Sequence, residues 1–140
     1  APLIQDMHFM LQLEVVNRMA AEPGSKAWGK LGVMVQYHCQ VDKLFEVPPE
    51  SFSPAPKVQS AIVRLQPRQQ PLGDAGREKQ LRRIVSAAFA QRRKTLRNNL
   101  RDIIDVQQLE QLEISPSARA ETLRLQQFLA MSDLLLERDG

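Results

Sequence analysis

Cysteine occurs once and histidine twice in the 140 residues. A lone Cys39 forms no internal disulfide, and with His8 and His38 as companions it lacks the ligand spacing of a zinc site. Set in an apolar run, it is expected in the core. No apolar run approaches the roughly eighteen residues that a membrane span requires. The N-terminus has no basic stretch leading into an apolar one, so a secretory leader is not indicated and the cytoplasm is the expected compartment. Also missing are the glycine-rich dinucleotide and phosphate loops, a His-Glu-x-x-His helix, and any Ser or Cys with His at suggestive spacing. Taken alone, the chain points to binding and not to catalysis.

Hydrophobic residues make up 43% of the chain, enough to bury the core of one domain, or of a small domain plus a piece of another. The net charge of +3 is unevenly spread. Residues 1–76 carry seven Lys/Arg and seven Asp/Glu, residues 77–101 nine against one, and residues 102–140 three against eight. The whole positive excess therefore falls in one short stretch, the footprint of a surface meant for a polyanion. A solvated helix face would give the same count.

Met7 to Leu11 is an apolar run with no leading cap, followed by Val16, Met19 and Ala20 at helical spacing, which predicts a buried strand and then a short helix. Glu22 to Ser25 is a turn, because Pro23 fixes φ and Gly24 accepts positive φ. From Trp28 to Val41 the period is ambiguous. Leu31, Met34, Val35 and His38 suit a helix, whereas Val33, Val35 and Tyr37 suit a strand. A short strand is expected over 44–47, then a proline-stiffened loop, PPESFSPAPK, and a strand over 58–65. Residues 67–76 lie in a polar Pro/Gly-rich linker, so a boundary is placed there.

Beyond the linker the pattern is helical. Leu81, Ile84, Val85, Ala88 and Phe89 make one apolar face. Leu96, Leu100, Ile103 and Ile104 predict a second helix, and Val106, Leu109 and Leu112 a short third. Ser115 with Pro116 reads as an N-cap and first-turn pair. A last helix over 125–137 is expected to bury Leu125, Phe128, Leu129, Leu135 and Leu136. No internal repeat is present.

The strongest local signal is QRRKTLRNN at 91–99. Arg93, Arg97 and Arg101, four apart, would form one column on a helix, flanked by Arg92 and Lys94, and could grip successive phosphates. Alternatively the column is a solvated face, or Arg97 pairs with Asp102 or Asp105. Arg119 could join the same surface or cap a helix C-terminus. The second signal is Phe52 on its proline-stiffened loop, either a stacking platform for an unpaired base or a core anchor.

Together the segments DMHFMLQLEVVNRM, GSKAWGKLGVMVQY, FEVPPESFSPAPKVQSAIVRL, AAFAQRRKTLRNNL and SPSARAE resemble, end to end and in order, the KsgA-type family of ribosomal RNA adenine dimethyltransferases. The related Erm enzymes, which modify large-subunit RNA, share the first three loosely. QRRKTLRNNL and SARAE look like the small-subunit branch. The resemblance implies an α+β fragment: residues 1–66 as the last strands and helices of a Rossmann-like methyltransferase sheet, with Trp28 to Cys39 a covering helix, then the 67–76 linker, then a small all-helical RNA-binding domain over 77–140. It also implies that a leading portion is absent, with the S-adenosylmethionine loop, its acidic ribose partner and the Asn-Leu-Pro-Tyr motif. This chain is accordingly expected to bind no methyl donor and to be inactive alone.

The family's reaction would place two methyl groups on the exocyclic nitrogen of each of two adjacent adenosines in a hairpin near the 3′ end of small-subunit RNA, with a role in ribosome biogenesis. In that picture Phe52 matches the aromatic that stacks on the flipped adenine, while Pro54 and Pro56 stiffen its loop. Arg92, Arg93, Lys94, Arg97 and Arg119, with Lys57 beside the aromatic, match the surface that docks on the RNA or on the pre-30S particle. Ala55 departs from a frequent family proline and loosens the loop. Exposed sheet edges in a truncated chain invite dimerisation. A non-catalytic RNA-binding or ribosome-assembly module is the alternative, and a helix-turn-helix reader of duplex DNA a third.

Overall fold

The apolar run at the start folds as strand β1 (Met7–Gln12), largely exposed at a sheet edge and not buried as expected, and passes without a loop into helix α1 (Leu13–Met19). The structure is a computed structural model that describes residues 6–51 and 58–139. In the turn that follows, the Ser25 amide and hydroxyl both donate to the Glu22 carbonyl, at 3.2 and 2.8 Å. Gly24 sits at φ +92°, which a residue with a Cβ adopts only under strain.

The ambiguous stretch divides. Helix α2 (Lys30–His38) gives way directly to strand β2 (Cys39–Val47), so each period governed part of it. The buried face of α2 is Gly32, Val33 and Tyr37, not the face marked by Leu31 and His38, both of which are exposed. Gly32 has a packing role, since a Cβ there would lie 2.7 Å from the Arg18 carbonyl oxygen of α1. Cys39 is only half-buried and outside the core clusters, correcting the core expectation; burial still pushes its thiol upward against the opposing pull of Arg68.

Strand β3 (Ser60–Pro67) lies between its partners in the order β1-β3-β2, antiparallel to both. Phe9 and Lys43 both stand opposite Val63, and the β2 register slips between Lys43 and Phe45. Val63 and Ala61 close against Val16 of α1, with Leu11, Leu13, Val41 and Leu65 around them. The α+β class follows from this small antiparallel sheet and the helices after it.

Helix α3 (Ala75–Ala88) starts at Asp74, whose carboxylate accepts from the Arg77 amide at 3.0 Å. It buries the expected Leu81, Ile84, Val85 and Ala88 against α6 (Leu125–Asp139), where Phe128 and Leu135 are fully buried and Leu136 only half-buried. Between them are two short helices, α4 (Leu96–Asn99) and α5 (Val106–Gln111). Asp105 and Gln108 cap α5 with a reciprocal box. The second predicted helix is thus a single helical turn. Asp105 is held extended (φ −87°, ψ 173°) to cap α5, so the chain cannot continue helically through it, although Leu96, Leu100 and Ile104 are buried as the pattern required. Ser115 and Pro116 open a turn instead of a helix, with the Ala118 amide donating to the Ser115 carbonyl at 3.1 Å.

Trp28, Val33 and Tyr37 do not pack with the sheet. They belong to the same buried cluster as α3 and α6. The Trp28 indole, 1% exposed, donates to the Leu123 carbonyl at 2.7 Å. His38, at the end of α2, meets Glu78 of α3 at 3.1 Å; that bond, helped by Arg82, holds the Glu78 carboxyl below the usual carboxylate range.

Trp28→Phe keeps a large ring but leaves the buried Leu123 carbonyl without its donor, a loss of about 1–3 kcal/mol. Urea unfolding followed by far-UV circular dichroism is expected to show that drop at unchanged m-value; an unchanged midpoint would mean the carbonyl finds another donor.

Candidate nucleic-acid interface

After α3 the chain makes an irregular loop over 89–95 before α4 begins, and this loop carries the basic cluster. Its shape is fixed mainly by Asn99, whose amide nitrogen donates to the carbonyls of Ala88 and Gln91, both at 2.9 Å. Across from it, the Leu96 and Arg97 amides donate to Ala118 (2.8 Å) and Pro116 (2.9 Å), so the 115–119 turn lies alongside the start of α4. Arg119 is thereby brought beside the 91–97 cluster, though it follows at a distance in sequence.

Arg93, Lys94, Arg97, Arg101 and Arg119 are all exposed, and none has a carboxylate within 4.0 Å among the described residues. The pairing of Arg97 with Asp102 or Asp105 therefore does not form. Arg119 donates no side-chain hydrogen bond to a helix C-terminus among the described residues. The single helical column is a correction: Arg93 lies in the loop, Arg97 in the one turn of α4, and Arg101 past its end. What the fold provides is a cluster of cations on a loop, a helical turn and a second loop. An open groove of ≈ 760 Å³ borders Arg97, Asn98, Arg101 and Ser117, but Asp105 and Glu110 also line it, so its field is mixed.

Arg92 behaves differently from its neighbours. Its guanidinium donates to the carbonyls of Lys26 and Trp28, both at 3.0 Å, approaches the Glu121 carboxylate at 3.6 Å, and stands 5.7 Å from the centre of the Phe89 ring. The structure thus gives Arg92 a holding contact that its position in a basic run did not suggest. Asn99 and Glu121 also belong to the site without a charge pattern to mark them: Asn99 closes the loop onto carbonyls 8 and 11 residues back, and Glu121 meets Arg92 across the fold. Phe52, Pro54, Pro56 and Lys57 lie outside the described residues.

Similarity to known proteins is extensive. The family described as ribosomal RNA adenine dimethylase matches residues 1–137. The chain is 52% identical over 140 residues to a ribosomal RNA small subunit methyltransferase A of Pseudomonas aeruginosa, covering 100% of this chain and 52% of that protein. It is 58% identical over 134 residues to the protein of the same description from Saccharophagus degradans, covering 95% and 50%. The chain thus spans about half the length of the curated relatives it matches. Its fold is similar to that of a dimethyladenosine transferase from Plasmodium falciparum (TM-score 0.84, 23% identity, 98% of this chain and 59% of that one). It is also similar to that of the 23S rRNA methyltransferase ErmE (TM-score 0.71, 24% identity, 95% and 55%).

Asn99→Ala is expected to destabilise the chain by about 1–2 kcal/mol and to raise amide exchange across 89–95, because two carbonyls lose their donor. Asn98→Ala, at an exposed position next door, should stay within about 0.5 kcal/mol. Equal effects of the two substitutions on urea midpoint and exchange would remove Asn99 from this role.

Proposed function

Because the chain belongs to the ribosomal RNA adenine dimethylase family, we propose that it is the RNA-gripping portion of an enzyme that dimethylates two adjacent adenosines in a 3′-terminal hairpin of small-subunit ribosomal RNA, with a role in ribosome biogenesis. The observation that carries this reading is the set of exposed cations, Arg93, Lys94, Arg97 and Arg119, which have no carboxylate within 4.0 Å among the described residues and lie on segments whose backbones are hydrogen-bonded together. Such cations gain free energy by releasing counterions from a phosphate backbone. The small-subunit substrate is supported by the relatives' description and by the QRRKTLRNNL and SARAE segments; the pre-30S particle as partner rests on the family resemblance alone. Phe52 is assigned the stacking role on the flipped adenine and Lys57 a phosphate beside it, both from the match to the family's loop. Base stacking on such a ring contributes about 1–3 kcal/mol.

The methyl donor would be S-adenosylmethionine, which supplies an electrophilic methyl group when bound. The residues present do not fit it. Neither of the closely spaced glycine pairs at a helix start, Gly29/Gly32 and Gly73/Gly76, leaves an open cradle: a Cβ at Gly73 would lie 2.5 Å from the Tyr37 hydroxyl and one at Gly32 2.7 Å from the Arg18 carbonyl oxygen. A nucleoside has no room there, and the donor site is assigned to the portion of the relatives that this chain does not span. No helix among the described residues is long and apolar enough to cross a membrane, and the cytoplasm remains the proposed compartment.

β1 and β2 leave open edges, with Phe9, Met10 and Phe45 exposed, and pairing of two copies through an edge is expected. A monodisperse monomer in light scattering at micromolar concentration would overturn that.

Binding of the chain to small-subunit ribosomal particles across a salt series, beside an Arg93→Ala/Lys94→Ala/Arg97→Ala variant, tests the main reading. The variant should bind more weakly and its slope of log affinity against log salt should fall by about three, one per lost phosphate contact. Equal affinity and slope for both proteins would overturn the assigned surface. With labelled S-adenosylmethionine and the same particles, this chain is expected to transfer no methyl groups; any turnover would overturn the placement of the donor site.

A further inference from the structure

We propose that Lys26 and Lys30, from the segment leading into α2, form one phosphate-binding surface with Arg93 and Lys94, and that Arg92 is a positioning residue clamping the two parts together without touching the RNA. This rests on the RNA-binding reading above.

The even charge count of residues 1–76 concealed these two lysines. In the structure most cations of that half are engaged: Arg18 with Glu14 (3.1 Å), Lys43 with Glu46 (3.2 Å), Arg64 with Asp42 (3.0 Å), and Arg68 on the Gln36 carbonyl (2.8 Å). Lys26 and Lys30 are exposed and have no carboxylate within 4.0 Å among the described residues. Both stand on the one stretch of the first half that is strapped to the basic loop.

The strap is held at several points. The Gly24 amide donates to the Glu121 carbonyl at 2.6 Å, the Trp28 indole to Leu123 at 2.7 Å, and Arg92 to the Lys26 and Trp28 carbonyls at 3.0 Å each. A Cβ on Gly29 would lie 3.5 Å from the Arg92 guanidinium, in contact with it. The Lys26 backbone thus touches the residue immediately before Arg93. The same guanidinium partly neutralises Glu121, the carboxylate at this seam. All three contacts come from one terminal guanidinium nitrogen at the end of the arginine stem; the shorter lysine stem keeps the charge but not the reach.

The test uses small-subunit particles and the same salt series. Lys26→Ala/Lys30→Ala should weaken binding about ten-fold at moderate salt and lower the slope by about two, with the thermal melt unchanged. If that variant keeps the wild-type slope while Arg93→Ala/Lys94→Ala lowers it, the composite surface is wrong and the RNA-binding reading stands. If neither pair changes the slope, the RNA-binding reading itself falls. Arg92→Lys separates clamp from contact. A clamp predicts weaker binding together with a red-shifted emission from Trp28, the chain's single tryptophan. Wild-type binding and emission in Arg92→Lys would overturn the clamp.

Discussion

The burial of Trp28 against the helical half is the constraint on which the rest of the molecule depends. Its indole is far from Leu123 in sequence, 95 residues away, yet donates to that carbonyl from inside the core. A buried aromatic of this size contributes several kcal/mol through burial alone, and its N–H fixes the ring's orientation as well as its depth. With Trp28 in place, Val33 and Tyr37 follow on the same face of α2 and the helix becomes shared property of sheet and helical bundle. Without it, the sheet would meet the helices mainly through the 67–74 connection and a few polar contacts such as His38 with Glu78.

The electrostatic arrangement follows from that docking. Arg92 can reach the Lys26 and Trp28 carbonyls only because Trp28 is seated, and its own loop is held in turn by Asn99. Arginines that look equivalent in sequence are therefore sorted by the fold into two kinds. Arg92, Arg77 on Asp133 and Arg68 on Gln36 hold the chain together. Arg93, Lys94, Arg97, Arg101 and Arg119 stay exposed at the surface. Under the proposed function, exposed cations on a hydrogen-bonded support suit a partner whose backbone charge is regular.

Much of the fold was legible in the residues. Helical periodicity found α3 and α6 and most of their buried positions, and alternation found β3. It failed where one segment serves two environments. Residues 28–41 gave a mixed signal because they are a helix packed on helices up to His38 and a strand from Cys39, and the buried residues Val33 and Tyr37 had looked strand-like. The second helix was over-extended for a different reason. Leu96, Leu100 and Ile104 do face the core, but the extended cap at Asp105 forbids one helix running on into α5, and regular helix is confined to Leu96–Asn99. The column of Arg93, Arg97 and Arg101 disappeared with it, although Arg97 and Arg101 still border one groove.

The sequence by itself determined the family, through ordered segments that run nearly the whole length, the α+β class, the apolar faces of the long helices, and the concentration of positive charge in 77–101. These are local or cumulative properties, read within a few turns of chain or summed along it. Only the tertiary structure decided which cations are free and which are structural, that Lys26 and Lys30 lie on a strap joined to the basic loop, and that Arg119 reaches the same neighbourhood. Those outcomes depend on hydrogen bonds between groups 19 to 95 residues apart, such as Arg97 with Pro116, Arg92 with Trp28 and Trp28 with Leu123, and no local pattern encodes a partner at that separation.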